Sequence, residues 1–72
     1  MREFYLKDDF IKVGQLLKAA GLCASGVDAK YDIQNGEVKL NGNVEIQRGK
    51  KIVAGDVIEY KGNSLVVKKK AN

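Results

Sequence analysis

Gly36-Glu37-Val38-Lys39-Leu40-Asn41-Gly42-Asn43-Val44-Glu45-Ile46, continued by Gln47-Arg48-Gly49-Lys50-Lys51 and by Ile52-Val53-Ala54-Gly55-Asp56-Val57-Ile58-Glu59, is the stretch that decides how this chain folds. Val38, Leu40, Val44 and Ile46 recur at period two on either side of Asn41-Gly42. Asn-Gly supplies the positive φ angles that a tight two-residue hairpin turn requires. The stretch therefore predicts a β-hairpin with these four apolar residues on one face and Lys39 on the other. Arg48, Lys50 and Lys51 follow the second strand and give the hairpin a cationic border.

Upstream of the hairpin, Glu3 to Leu6 reads as a short strand, and Asp8-Asp9 is suited to cap a helix. Phe10, Val13, Leu16, Leu17 and Ala20 recur at spacings of three and four, which predicts one apolar helical stripe, with Asp8, Lys12 and Gln15 on the opposite side. Gly21 ends that helix. Gly14 within it costs about 1 kcal/mol relative to Ala, which suits a place where another backbone packs closely. Ser25-Gly26-Val27-Asp28 has the spacing of a capping box and predicts a second, shorter helix from about Val27 to Ile33, stopped by Asn35-Gly36. Downstream, Ile52-Val53 and Val57 to Tyr60 read as strands, and Lys61-Gly62-Asn63 as a turn into Leu65-Val66-Val67. Lys68-Lys69-Lys70-Ala71-Asn72 has no periodicity and is expected to be a mobile basic tail. The whole is an α+β domain over residues 1–67, two helices packed on a small, mostly antiparallel twisted sheet, with a tail over 68–72.

A chain of 72 residues holds one domain with a small core, since at this size only about 60% of the unfolded surface leaves water. The lone Cys23 excludes an internal disulfide, and with no His the usual structural zinc ligand sets are missing. No metal or cofactor is expected. Nothing approaches an apolar run long enough to span a membrane, and the charged start Met1-Arg2-Glu3 does not suit a signal peptide, so a cytoplasmic protein is expected. The net charge is +4, unevenly spread: residues 1–37 hold five Lys/Arg against six Asp/Glu, and residues 38–72 eight against three. That asymmetry points to a polyanionic partner. An enzyme is not expected, because His is absent, no Gly-rich phosphate loop occurs, and the carboxylates are scattered or sit at helix caps.

The order of a helix, Gly21, Ser25 at a helix start, Ala29, Ile33 and Gly36, then Val38-x-Leu40-Asn41-Gly42 and later Val53-x-Gly55-Asp56-x-Ile58, resembles the RNA-binding domain named after ribosomal small-subunit protein four, the alpha-L motif. The resemblance covers about residues 8–60 and is greatest to the small stand-alone bacterial members. It implies two helices on a small twisted sheet, with RNA bound through the second helix and neighbouring hairpin residues. In the family the capping Ser is commonly followed by Arg. Here that position is Gly26, a departure the small stand-alone members share, and Lys30 one turn on can take over part of the phosphate contact.

Residue by residue, Ser25 and Gly26 form a helix start whose free amides and missing side chain suit a phosphate. Lys30, Lys39, Arg48, Lys50 and Lys51 supply the cations, expected as one contiguous surface around that start. The planar guanidinium of Arg48 is the best suited to a directed contact. Tyr31, Tyr60 and Cys23 are expected to serve packing rather than binding. The expected partner is structured RNA, whether ribosomal, transfer or small regulatory, bound by a monomer with no role for a membrane. A module that docks proteins through its sheet is the rival reading.

Overall fold

The computed structural model describes residues 1–70. A five-stranded sheet forms from β1 (Arg2–Leu6), β3 (Val38–Leu40), β4 (Asn43–Val44), β6 (Val57–Tyr60) and β7 (Asn63–Lys69) in the order β1-β7-β6-β3-β4. Among the described residues only β1 and β7 pair in parallel. A separate two-residue ladder joins β2 (Ile11–Lys12) to β5 (Lys51–Ile52). Helices α1 (Val13–Ala19) and α2 (Gly26–Gln34) cover one face of the sheet. Between the layers lies a single cluster in which Leu16, Leu17, Ala29 and Ile33 meet Val38, Ile58, Leu65 and Val67, every one of them at most 2% exposed.

The central hairpin forms where expected, with Asn41 at φ 51° and Gly42 at φ 87° making the two-residue turn. Its faces differ from the periodic reading. Leu40 pairs with Asn43 and Lys39 with Val44, and paired residues share a face. A two-residue loop therefore matches even positions of one strand to odd positions of the next. Val44 consequently stands beside Lys39 on the outer face and is 56% exposed, and Ile46 is 59% exposed, while Val38 is fully buried. The hairpin buries one strand's apolar residues, not those of both.

The first helix also begins later than the Asp8-Asp9 cap predicts. Its N-cap is Lys12, and Phe10 lies outside the helix, exposed. The cause is tertiary: Ile11 and Lys12 are drawn into the ladder with β5, and the first helical amides, of Val13 and Gly14, donate to the carbonyls of Lys50 and Arg48 at 3.0 and 3.1 Å. Backbone acceptors from another loop thus satisfy donors that a cap would otherwise take. Asp8 and Asp9 turn instead to Lys69, whose ammonium reaches the Asp8 carbonyl at 2.9 Å and the Asp9 carboxylate at 3.1 Å. Gly21 follows the helix at φ 75°, and Gly36 follows α2 at φ 80°. Both are C-terminal stops of the expected kind.

At the other end, Lys68 and Lys69, expected in a tail, belong to β7, where they pair with Tyr5 and Leu6. Lys68 forms an ion pair with Glu3. A parallel partner was not visible from the local run of lysines. Ala71 and Asn72 lie outside the described residues. β5 is Lys51–Ile52, so Val53 falls outside the strand expected for it. No helix among the described residues is long and apolar enough to cross a membrane.

Candidate nucleic-acid interface

The loop from Gln47 to Lys50 is the element that gathers cations. It leaves the hairpin, turns with Lys50 N donating to Gln47 O at 3.1 Å, and lies along the start of α1 through the two carbonyl contacts just described. The loop lies against Gly14 at contact distance: a Cβ there would sit 3.6 Å from Arg48 Cβ and 3.7 Å from Arg48 O, an ordinary packing contact. The close backbone expected at Gly14 is this loop.

Where the loop, α1 and the start of α2 converge, a depression of about 390 Å³ opens, lined by Lys12, Gly14, Gln15, Lys18, Gly26, Arg48 and Gly49. Its lining contains three cations and no carboxylate. Among the described residues, the ion pairs are Lys61–Asp32, Lys68–Glu3 and Lys69–Asp9, so Lys12, Lys18 and Arg48 keep their charge uncompensated. A concavity lined by charge of one sign concentrates potential.

α2 starts as its sequence requires. Ser25 has extended backbone, and its Oγ accepts from the Asp28 amide at 3.2 Å. A Cβ at Gly26 would have nothing within 4 Å, so the helix start is open to the depression. Lys30 is exposed one turn further on, at the i+4 position that shares a helix face with Gly26.

The expected basic group is thus brought together only in part. Gly26 and Arg48 meet at the depression, with Ser25 adjacent to Gly26 in the chain. Lys50 and Lys51 continue the same loop into β5, and the Lys51 ammonium lies 4.8 Å from the centre of the Phe10 ring. Lys39 is elsewhere: it pairs with Glu59 and Val44 on the sheet face turned away from the helices, so the contiguous surface expected to include it does not form. Lys12 and Lys18 join instead. Their signal lay in the ridge Lys12, Gln15, Lys18, spaced by three on the polar side of α1.

The packing roles separate as well. Tyr60 is buried, and its hydroxyl donates to the Asp32 carboxylate while accepting from the Cys23 thiol at 3.3 Å. Tyr31 is 59% exposed. Cys23 is buried.

The chain's residues 4–68 match the S4 domain family. It is 39% identical over 61 residues to YbcJ of Escherichia coli, spanning 85% of this chain and 87% of YbcJ. The solution structure of YbcJ, described as revealing an alpha-L motif involved in RNA binding, superposes with a TM-score of 0.73 over 94% of this chain and 87% of that one. RlbA of Bacillus subtilis, named as a probable ribosome maturation protein, is 39% identical over 75% of this chain and 76% of its own length. A tyrosine–tRNA ligase of Ralstonia nicotianae is 42% identical over 72% of this chain, but the match spans only 13% of that enzyme. With its matched residues covering most of the strands and both helices, the chain belongs to the S4 domain family.

Proposed function

We propose that this chain is a non-catalytic, cytoplasmic RNA-binding protein that holds structured RNA by its phosphates at the depression between α1, α2 and the Gln47–Lys50 loop. Lys12, Lys18 and Arg48 neutralise phosphates, Gly26 lets the backbone approach, and Ser25, Lys30, Lys50 and Lys51 extend the contact on either side. The observation that carries this reading is the grouping of three unpaired cations, without a carboxylate, around an open helix start. Duplex RNA hides its base edges in a deep groove, so contacts to phosphates and 2′-hydroxyls from a shallow surface are what such a site can make. The names of the relatives make ribosomal RNA the first class to test and transfer RNA the second.

The rival, protein docking through the outer sheet face, has less to support it. Lys39, Glu59, Glu3 and Lys68 interrupt Val44, Val57 and Val66 there, so charges break up the apolar area.

Binding measured against salt tests the proposal. Neutralising about four to six phosphates gives a log-log slope of about −3 to −5. Arg48→Ala should make the slope shallower by about one unit, whereas Lys39→Ala, on the far face, should leave it unchanged. RNA binding that is absent at low salt, or equally affected by both substitutions, would refute this site.

A further inference from the structure

A second concavity lies on the other side of Gln15 from the basic depression. It measures about 370 Å³ and runs between β1 and α1, with Phe4, Leu6, Phe10, Ile11 and Ala19 among its walls and Lys7 and Asp8 at its polar side. Gln15 lines both concavities. The two are therefore adjoining parts of one surface, one cationic and one apolar.

Phe10 is what makes the second concavity unusual. It was expected in the helical stripe, yet the β2–β5 ladder holds it outside α1 and leaves it 40% exposed. Its ring carries the Lys51 ammonium 4.8 Å from the ring centre. The result is a partly exposed aromatic ring lining an open cavity, with Lys7 and Lys12 on either side of it along the chain.

We infer that this concavity is a nucleobase subsite: it takes one unpaired base, stacked on Phe10, from an RNA whose phosphates occupy the basic depression. The inference rests on the RNA reading proposed above. Charge and continuity together favour this occupant over an apolar peptide. An apolar segment would have to lie against Lys7 and Asp8 in the lining, whereas a nucleotide brings an aromatic face for Phe10 and a phosphate for the cations of the adjoining depression. Gln15 accepts from the Lys12 amide through Oε1 at 3.4 Å. Its Nε2 donor is then available to an acceptor on the base edge. Because every base has a π face, stacking sets the requirement for an extruded nucleotide, not for a particular sequence.

Two RNA hairpins test this, one fully paired and one identical except for a single extruded uridine. The native chain should bind the bulged hairpin about fivefold or more tightly than the paired one, the low end of the range for one stacked base. Phe10→Leu, which keeps apolar bulk and removes the ring face, should abolish that preference while leaving affinity for the paired hairpin within about twofold. Phe10→Tyr should retain it. Raising salt should weaken both complexes while a preference for the bulged hairpin persists, because stacking itself releases no counterions. Phe10 ring protons should shift on adding the bulged RNA and not the paired RNA. Equal affinity for the two hairpins, or a preference that survives Phe10→Leu, overturns the subsite while leaving the phosphate site standing. Failure to bind either hairpin overturns both.

Discussion

Tyr60 ties three parts of the chain together through one hydroxyl. From β6 it donates to Asp32 on α2 and accepts from the thiol of Cys23 in the connection between the helices, and Lys61 Nζ lies 3.4 Å from the same Asp32 carboxylate. Asp32 is held below the ordinary aspartate range, first by the Tyr60 hydrogen bond and then by Lys61, against an opposing effect of partial desolvation. Tyr60 is pushed the other way, above the ordinary tyrosine value, chiefly by the same carboxylate and then by Cys23 and burial. A carboxylate with a lowered folded pKa contributes stability that is complete above its unfolded value, about 3.9, and lost as pH falls through the folded value. A tyrosine with a raised one contributes stability that is complete below about 10 and lost as pH rises beyond it. Tyr60→Phe should thus lower stability at neutral pH by about 1 kcal/mol, since it strips the buried Cys23 thiol of its acceptor and leaves Asp32 with Lys61 alone. It should also flatten both the acid and the alkaline limbs of the stability profile. Urea denaturation across pH measures both. An unchanged acid limb would mean that Asp32 gains nothing from the contact.

At the scale of elements, the two motifs that carry the family resemblance prove to be one hydrogen-bonded unit. Asn41 Nδ2 donates to Asp56 Oδ1 at 3.0 Å, and Asn41 Oδ1 accepts from the Val57 amide at 2.8 Å. Asp56 Oδ2 accepts from the Val53 amide at 2.9 Å. The turn of one hairpin thereby clamps the start of the next strand, and this explains why Asn-Gly and Gly-Asp occur together. Asn41→Asp preserves the residue type's tolerance of positive φ. It nevertheless sets a second carboxylate against Asp56 and should destabilise by about 1 kcal/mol, more than Asn41→Gly. Matching denaturation midpoints for the two variants would show that only the turn geometry matters. In α1 the opposite is expected. A Cβ at Gly14 makes ordinary contacts at 3.6 to 4.0 Å. Gly14→Ala should then raise stability by up to about 1 kcal/mol by restoring helix propensity. A fall instead would mean that the added methyl disturbs the contact between α1 and the Arg48 loop.

For the molecule as a whole, the core is small enough that one side chain decides folding. Leu16 and Leu17 are both fully buried within the single cluster. Truncating either to Ala removes about 2 to 5 kcal/mol, from a domain whose total is about 5 to 15 kcal/mol or less. The melting midpoint of each variant should drop by about 10 to 40 °C at this chain length. Circular dichroism melts give the answer directly, and two native-like curves would place the core elsewhere.

Local chemistry determined a good deal of this protein. The Asn41-Gly42 turn, the Ser25 cap, the stops at Gly21 and Gly36 and the buried Leu16-Leu17 stripe are legible because each depends on neighbours in sequence, on φ preference, capping geometry or helical period. The hairpin's faces were not legible from period two alone, since the parity of the loop sets which residues are opposed, and that parity put Val44 outside with Lys39. The start of α1 escaped for a different reason: its donors are satisfied by carbonyls of Arg48 and Lys50, more than thirty positions away, and not by Asp8 or Asp9. Lys68 and Lys69 looked unstructured because the β1 partner that orders them lies at the other end of the chain. The grouping of cations followed the same division. The sequence suggested cations near the second helix, and the fold groups Lys12 and Lys18 with Arg48 while setting Lys39 on the far face, because which charges converge depends on how a loop packs and not on how charges are spaced along the chain.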